Sequence, residues 1–163
     1  MNEISVFIKS PLIILTLLFI ACNNQRSPEN EVISEEEKEI ARNLIQGAFD
    51  DLWAGLDSTK ISKYHTDDFV ILENGEIWDN NRIKKFMRKQ LSDENRAKRK
   101  NIMDYISLDK YGSSIQIAYH NKAEFYNQDS LVGTGSWLES ALAIKTQDGW
   151  RLKMMHSTWN GNK

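Results

Sequence analysis

The chain has 163 residues, of which 21 are lysine or arginine and 23 are aspartate or glutamate, so its formal net charge is −2. This near-neutral balance argues against nucleic acid as a partner, because proteins that bind nucleic acid carry a clear excess of positive charge. The single cysteine, Cys22, excludes a disulfide within one molecule.

The first 21 residues differ in composition from the rest and indicate a secretory signal. Lys9 precedes an apolar run from Pro11 to Ala21. This run has the length of a signal-peptide core and is shorter than the ~20 residues that cross a bilayer. We therefore expect residues 1–21 to be removed. Taking 21 from 163 leaves 142 residues, a length that suits one domain with a substantial core.

The cleavage region, Leu18-Phe-Ile-Ala-Cys22, resembles the lipobox of bacterial lipoproteins. In that class the cysteine becomes the mature N-terminus and carries a diacylglycerol thioether and, in many species, a further acyl chain such as palmitate. Two or more acyl chains anchor a protein stably, whereas one gives only marginal binding. The resemblance therefore implies that lipid on Cys22 holds the protein to a membrane of the bacterial cell envelope, with an anchor that faces the periplasm.

The segment of residues 22–33 is polar, contains Pro28 and has no apolar period, which predicts a flexible tether. The folded domain is predicted to span residues 34–163. Its first helix begins after Ser34, because Ser34 and Glu37 have the spacing of a capping box. Apolar residues at three- and four-residue steps extend that helix to about Gly55.

The remaining elements are predicted from capping residues, turn pairs and periodicity. A short second helix runs over residues 57–64, and a third over residues 80–91. The pair Asn74-Gly75 predicts a hairpin between residues 69–72 and 76–78. The basic run Arg96–Lys100 is interpreted as a solvated loop. Period-two alternation then predicts long strands over residues 101–109, 114–127, 134–146 and 150–158.

Helices followed by consecutive long hairpins indicate the α+β class, in which N-terminal helices pack on a strongly curved antiparallel sheet. The order of elements and several local patterns resemble the nuclear transport factor 2-like superfamily, which includes the SnoaL-like proteins, ketosteroid isomerase and scytalone dehydratase. These patterns are Ala54-Gly-Leu-Asp57, Thr66-Asp-Asp-Phe-Val-Ile-Leu72, Asn74-Gly75 and Asp148-Gly-Trp-Arg-Leu152 with His156 after it. The resemblance covers about residues 35–159. It implies a conical pocket, and the fold hosts enzymes, ligand binders and assembly domains.

Two positions of the isomerases can be carried over by their spacing. Their carboxylate base lies five residues after the second aspartate of the Asp-Asp pair, which in this chain is Glu73. Their oxyanion-binding tyrosine lies on the first helix, eight residues before the aspartate that follows it, and this position is Phe49. Phe49 has no hydroxyl to donate, so the resemblance does not support steroid isomerisation.

Strand alternation offers an independent way to find site residues, because a polar group on an apolar face is either satisfied or functional. Five polar residues fall on predicted apolar faces: Glu73, Asp104, Asn121, Ser140 and His156. Such a set suits a small-molecule pocket. The candidate catalytic residues are Glu73, Asp104 and His156, and the candidate ligand-binding residues are Phe49, Trp53, Tyr119, Asn121 and Ser140. Each has an ordinary structural explanation as well, such as a histidine at a strand end that bonds a neighbour.

The sequence has no glycine-rich phosphate loop, no second cysteine and no close helical spacing of histidines, so we expect neither a cofactor nor a metal site. The favoured function is a binding module that holds a small, mostly apolar molecule. The first alternative is a cofactor-free acid–base enzyme of the isomerase, dehydratase or hydrolase type, with Glu73 or Asp104 as base and His156 as acid or orienting group. The second is assembly as a homodimer through the outer face of the sheet, to which Met103, Tyr105 and Met155 are assigned.

Overall fold

A computed structural model describes residues 32–161. The predicted signal segment, Cys22 and most of the predicted tether lie outside the described residues and stay predictions, as do residues 162–163 at the predicted domain end. Within the described part of the chain, no helix combines the length and apolarity that crossing a membrane requires.

The first helix, α1 (Glu35–Ala48), begins where the capping box predicts. The Ser34 hydroxyl accepts a hydrogen bond from the Glu37 amide at 3.1 Å, and the Glu37 carboxylate accepts one from the Ser34 amide at 3.1 Å. Beyond Ala48 the chain forms a π-helical segment, Phe49–Ala54, where plain α-helix was predicted. π-helical turns are rare in proteins as a whole, but those that occur are often found at functional sites.

Two further helices follow. A 3-10 turn (Ser58–Lys60), whose N-cap is Asp57, leads into α2 (Ile61–Tyr64), and α3 (Asn80–Leu91) is capped by Asp79. The six strands are β1 (His65–Glu73), β2 (Glu76–Asp79), β3 (Lys98–Tyr111), β4 (Ser114–Asn127), β5 (Ser130–Thr146) and β6 (Gly149–Gly161). The basic run is therefore not a loop throughout, because β3 already begins at Lys98.

The six strands form one open sheet in the order β2-β1-β6-β5-β4-β3, which is neither closed nor strongly curled. The α+β class is confirmed. The sheet is mixed rather than wholly antiparallel, because β1 pairs in parallel with β6. Neighbouring strands joined by hairpins must be antiparallel, whereas β1 and β6 are separated by the rest of the domain, so sequence order does not fix their relative direction.

One face of the sheet, here called the inner face, packs against the helices. The core between them is built from residues such as Ala41, Ile45, Leu52, Phe69, Ile83, Ile115, Ile117 and Leu152. Two irregularities change which residues point inward: one lies in β3 between Tyr105 and Ser107, and one in β6 between Leu152 and Met154. A bulge of this kind sets two residues opposite one and shifts the alternation beyond it.

Candidate functional site

A cavity of about 240 Å³ lies on the inner face of the sheet. The helices contribute Phe49, Trp53 and Phe86 to its lining, and the strands contribute Ile71, Glu73, Trp78, Arg99, Trp137, Glu139 and Ser157, with Asn74 at the turn. An apolar enclosure with a few converging polar groups is typical of a small-molecule site.

An aromatic wall forms one side of this cavity. Phe49 and Trp53 lie on the π-helical segment with ring centroids 6.1 Å apart. The Phe86 ring of α3 follows at 5.8 Å from Trp53, and Trp78 of β2 at 5.4 Å from Phe86. The four rings thus make one continuous apolar surface against which a flat molecule can pack.

A row of polar side chains crosses three neighbouring strands. Glu73 of β1 and Glu139 of β5 are both paired in register with Ser157 of β6, so the three side chains project from one row on the inner face. The Ser157 hydroxyl donates to Glu139 Oε1 at 3.0 Å. Asn74 Nδ2 donates to Glu73 Oε1 at 2.7 Å. Two carboxyl groups therefore reach the same cavity.

Glu139 is only 5 % exposed. Burial raises the pKa of its carboxyl to about 7, although the neighbouring polar groups of Ser157, Tyr119 and Asn121 act in the opposite direction. The Asn121 amide donates to Glu139 Oε2 at 3.2 Å. Glu139 thus changes its charge near neutral pH, which is the range where an acid–base group works. Burial also raises the pKa of Glu73, which is half-buried.

Arg99 supplies the positive charge of the cavity. Its guanidinium lies over three rings, with centroid distances of 5.8 Å to Phe49, 5.9 Å to Phe125 and 5.1 Å to Trp137. Burial lowers the pKa of Arg99, and the charges of Glu139 and Glu73 act in the opposite direction. The planar cation is thereby held between aromatic faces, an arrangement that suits arginine better than lysine.

A second cavity of about 360 Å³ adjoins the first. Both cavities share Trp53, Phe86, Arg99 and Trp137 in their linings. The rest of the second lining is Leu56, Phe125 and residues at the end of α3 and the loop before β3: Gln90, Asp93, Asn95, Arg96 and Ala97. The shared side chains therefore stand at the junction of an apolar and a more polar space.

Three of the predicted site residues line the first cavity: Phe49, Trp53 and Glu73. Tyr119 and Asn121 point to the inner face but are fully buried, and neither lines either cavity. Tyr119 meets the Phe49 ring edge to face at 6.5 Å, and Asn121 bonds Glu139. These two side chains support lining residues from behind.

The expectation that Asp104, Ser140 and His156 face the cavity is wrong. All three lie on the outer face, since their strand neighbours on both sides point inward. In β6 the bulge after Leu152 reverses the alternation, so that Met155 and Ser157 are buried and His156 is exposed. In β3 and β5 the outer face also carries apolar residues, which made the wrong face look like the core.

The assignment of Met103, Tyr105 and Met155 to the outer face is corrected for the same reason. Met155 is fully buried, and Met103 and Tyr105 pack against the core. Exposed apolar side chains of the outer face include instead Leu72, Ile102, Ile106, Leu138 and Met154. We call these five residues the outer apolar patch.

Sequence reasoning missed Arg99, Glu139, Ser157, Trp78 and Trp137 as site residues. Arg99 was included in a run of basic residues whose other members in β3, Lys98 and Lys100, are exposed. In β5 every second position, Trp137, Glu139, Ala141 and Ala143, falls on one face, and this pattern could have identified the inner face. Among the described residues, no cluster of three or more histidine, cysteine or acidic side chains could hold a metal ion.

Comparison with known proteins shows the fold but no close relative. No family model and no curated protein matches the sequence. Among solved structures, an NTF2-like protein from Cytophaga hutchinsonii is similar with a TM-score of 0.61 and 8 % identity, over 78 % of this chain and 99 % of that one. ActVI-ORFA from Streptomyces coelicolor is similar with a TM-score of 0.65 and 15 % identity, over 76 % and 96 %.

A third similar structure is the CaMKII hub of S. rosetta, with a TM-score of 0.60 and 15 % identity over 74 % of this chain and 95 % of that one. These matches span nearly the whole length of the known structures, and their sequence identity is too low to carry a function across. The described domain has the nuclear transport factor 2-like fold.

Proposed function

We propose that this domain binds a small, mostly apolar molecule in the first cavity. The observation that carries the proposal is the continuous aromatic wall of Phe49, Trp53, Phe86 and Trp78, which faces a short row of polar groups. Flat apolar surface gains free energy on leaving water, at roughly 25 cal/mol per Å² buried. The polar row would fix the orientation of the bound molecule.

Calorimetric titration with naphthol, a flat molecule with one hydroxyl, tests this proposal. We expect binding to the wild type and several-fold weaker binding to Trp78→Ala, which removes a wall residue. Tyr111→Ala is the matched control, because Tyr111 is also a partly exposed aromatic residue but lies outside both linings. Native mass spectrometry of protein purified from its own membranes complements the titration. An empty protein together with no thermal stabilisation by any of a panel of aromatic molecules would contradict the proposal.

We further infer that lipid on Cys22 holds this binding domain at the membrane. This inference is supported by the apolar run before Cys22 and by the polar segment after it. That segment would act as a short tether between the lipid and the domain. Metabolic labelling with an alkyne analogue of palmitate should mark the wild type. Cys22→Ser should lose the label and leave the membrane fraction. A labelled Cys22→Ser variant, or an unlabelled wild type, would refute the anchor.

A second candidate function, acid–base catalysis, is favoured by the two carboxyl groups with raised pKa values in one cavity. Glu139, whose pKa is raised to about 7, can exchange a proton near neutral pH without a cofactor, and burial shifts the pKa of Glu73 in the same direction. The residues in question are Glu73 and Glu139 rather than the outer-face Asp104 and His156. Glu73→Gln and Glu139→Gln should each abolish any turnover found, and His156→Gln should leave it unchanged. Loss of turnover in the control, or its retention in both cavity variants, would remove this candidate.

A third candidate, pairing of two copies, is favoured by the outer apolar patch, whose members are between 37 % and 56 % exposed. Exposed apolar patches often mark interfaces, and one structure of similar fold is a hub. Sedimentation should show a dimer for the wild type and a monomer for a double variant, Ile106→Lys with Leu138→Lys. Leu91→Lys at the end of α3 is the control, since Leu91 is exposed but lies outside the sheet. A wild type that remains monomeric at high concentration would refute the pairing.

A further inference from the structure

Two buried nitrogen atoms at the junction of the cavities have no hydrogen-bond partner among the described residues. They are Nε1 of Trp53 and Nε of Arg99. Both residues line the first cavity and the second. A buried donor without an acceptor loses its hydrogen bond to water and gains none in the fold. Neither atom is accessible to solvent, so a bound acceptor would meet Arg99 through its terminal amino groups rather than through Nε.

The Arg99 guanidinium is also without an ion pair within 4.0 Å among the described residues, and its contacts are the three rings of Phe49, Phe125 and Trp137. These rings surround the cation, so its position is largely set before anything binds. Arginine recognises planar oxyanions through such a fixed fork of N–H groups. A neutral carbonyl would satisfy the hydrogen bonds but would leave the charge without a direct partner.

From this geometry we infer that the bound molecule carries a carboxylate, whose oxygens accept hydrogen bonds from the terminal amino groups of Arg99 while its apolar body lies against the aromatic wall. The inference rests on the proposed binding function and names the chemical class of the ligand. It assigns the polar end of the molecule to the junction of the two cavities and the apolar end to the first.

The charges on the two sides of the junction are consistent with this orientation. Glu73 and Glu139 line the first cavity alone, so they would repel a carboxylate placed deep within it. The charged residues of the second lining are Arg96, Arg99 and Asp93, which sum to one net positive charge. A carboxylate at the junction therefore faces the positive side, and its remaining oxygen lone pairs can reach the more polar space.

The test compares naphthoate with naphthamide, two probes of similar shape that differ in charge, by calorimetric titration of the purified protein. We expect the wild type to bind naphthoate at least ~10-fold more tightly, as suits a hydrogen bond to a charged group. Arg99→Gln should abolish this preference. Trp53→Phe keeps an aromatic ring but reduces the area of the aromatic wall, and should weaken both probes without changing the preference. Lys98→Gln is the control, because it removes an equal charge from an exposed neighbour on the same strand.

Equal affinities of the wild type for the two probes, or a preference for naphthoate that survives in Arg99→Gln, would overturn the inference. Binding of naphthol and naphthamide without naphthoate would overturn the inference and leave the proposed binding function standing. Binding of none of the three probes would remove both. If Arg99→Gln fails to fold by circular dichroism, Arg99→Lys replaces it. That variant keeps the charge but loses the planar fork, and should bind naphthoate more weakly while still preferring it to naphthamide.

Discussion

Replacing Glu139 by glutamine tests whether its carboxyl is held uncharged by burial. The pKa of Glu139 is raised from an ordinary value of 4.5 to about 7. A raised pKa means that the folded state binds the proton more tightly than the unfolded state does. The associated stability is therefore fully present below pH 4.5 and is lost as the pH rises to about 7. At about 1.4 kcal/mol for each pH unit, the loss amounts to about 3 kcal/mol.

Glutamine imitates the protonated carboxyl, since it is neutral and can serve both Ser157 and Asn121. We therefore expect the free energy of unfolding of Glu139→Gln to lack this pH dependence. At pH 8 it should exceed the free energy of unfolding of the wild type by about 3 kcal/mol. Urea unfolding at several pH values measures the difference between the two proteins. The difference, rather than the wild-type curve, is the decisive quantity, because His65 acts in the opposite direction over an overlapping range. Parallel curves for the two proteins between pH 4.5 and 8 would refute the buried-acid interpretation.

Three further predictions concern the same packing. Burial lowers the pKa of His65 from 6.5 to about 4. Its contribution to stability is therefore present above pH 6.5 and is lost as the pH falls to about 4. NMR titration should find the His65 ring neutral at pH 5.5. Gly135→Ala should destabilise the fold by roughly 1–3 kcal/mol in urea unfolding, because its Cβ would lie 2.7 Å from a Trp137 ring atom, whereas Gly133→Ala meets nothing within 4 Å and should be neutral. Ser157→Ala removes a hydrogen bond that lowers the pKa of Glu139, so carbon-detected NMR should find that pKa higher in the variant. A charged His65 ring at pH 5.5, equal losses for the two glycine variants, or an unchanged pKa of Glu139 in Ser157→Ala would each contradict the corresponding prediction.

The helices were predicted well because their signals are local. The capping box at Ser34 and the aspartate caps before the second and third helices each involve residues within a few positions of one another. The limits of the four long strands, β3 to β6, were also predicted nearly correctly, because period-two alternation and turn pairs are signals that lie within a single hairpin. The π-helical segment was not predicted, because the apolar spacing of Phe49 and Trp53 fits an α-helix equally well.

The faces of the strands could not be assigned in the same way. Alternation marks the buried face only when the other face is polar, and here the outer face carries Ile102, Ile106 and Leu138. Bulges add to the difficulty, because the register shift in β6 depends on pairing with β5 rather than on local sequence. Arg99 escaped notice for a related reason: its burial depends on three rings from distant parts of the chain.

The division of the inner face between packing and binding follows from side-chain size along β5. Its inward residues Ala141 and Ala143 are small and buried in the core cluster that also contains α1 residues, so helix and sheet can approach closely there. Further toward the N-terminal end of the same strand, the inward residues are Glu139 and Trp137, which are too large or too polar for such an approach. The chain opposite this end is the π-helical segment rather than regular helix, and Phe49 and Trp53 of that segment line the cavity. The cavity thus lies where β5 changes from small to large inward side chains, which explains how Glu139 can be buried and still line the cavity.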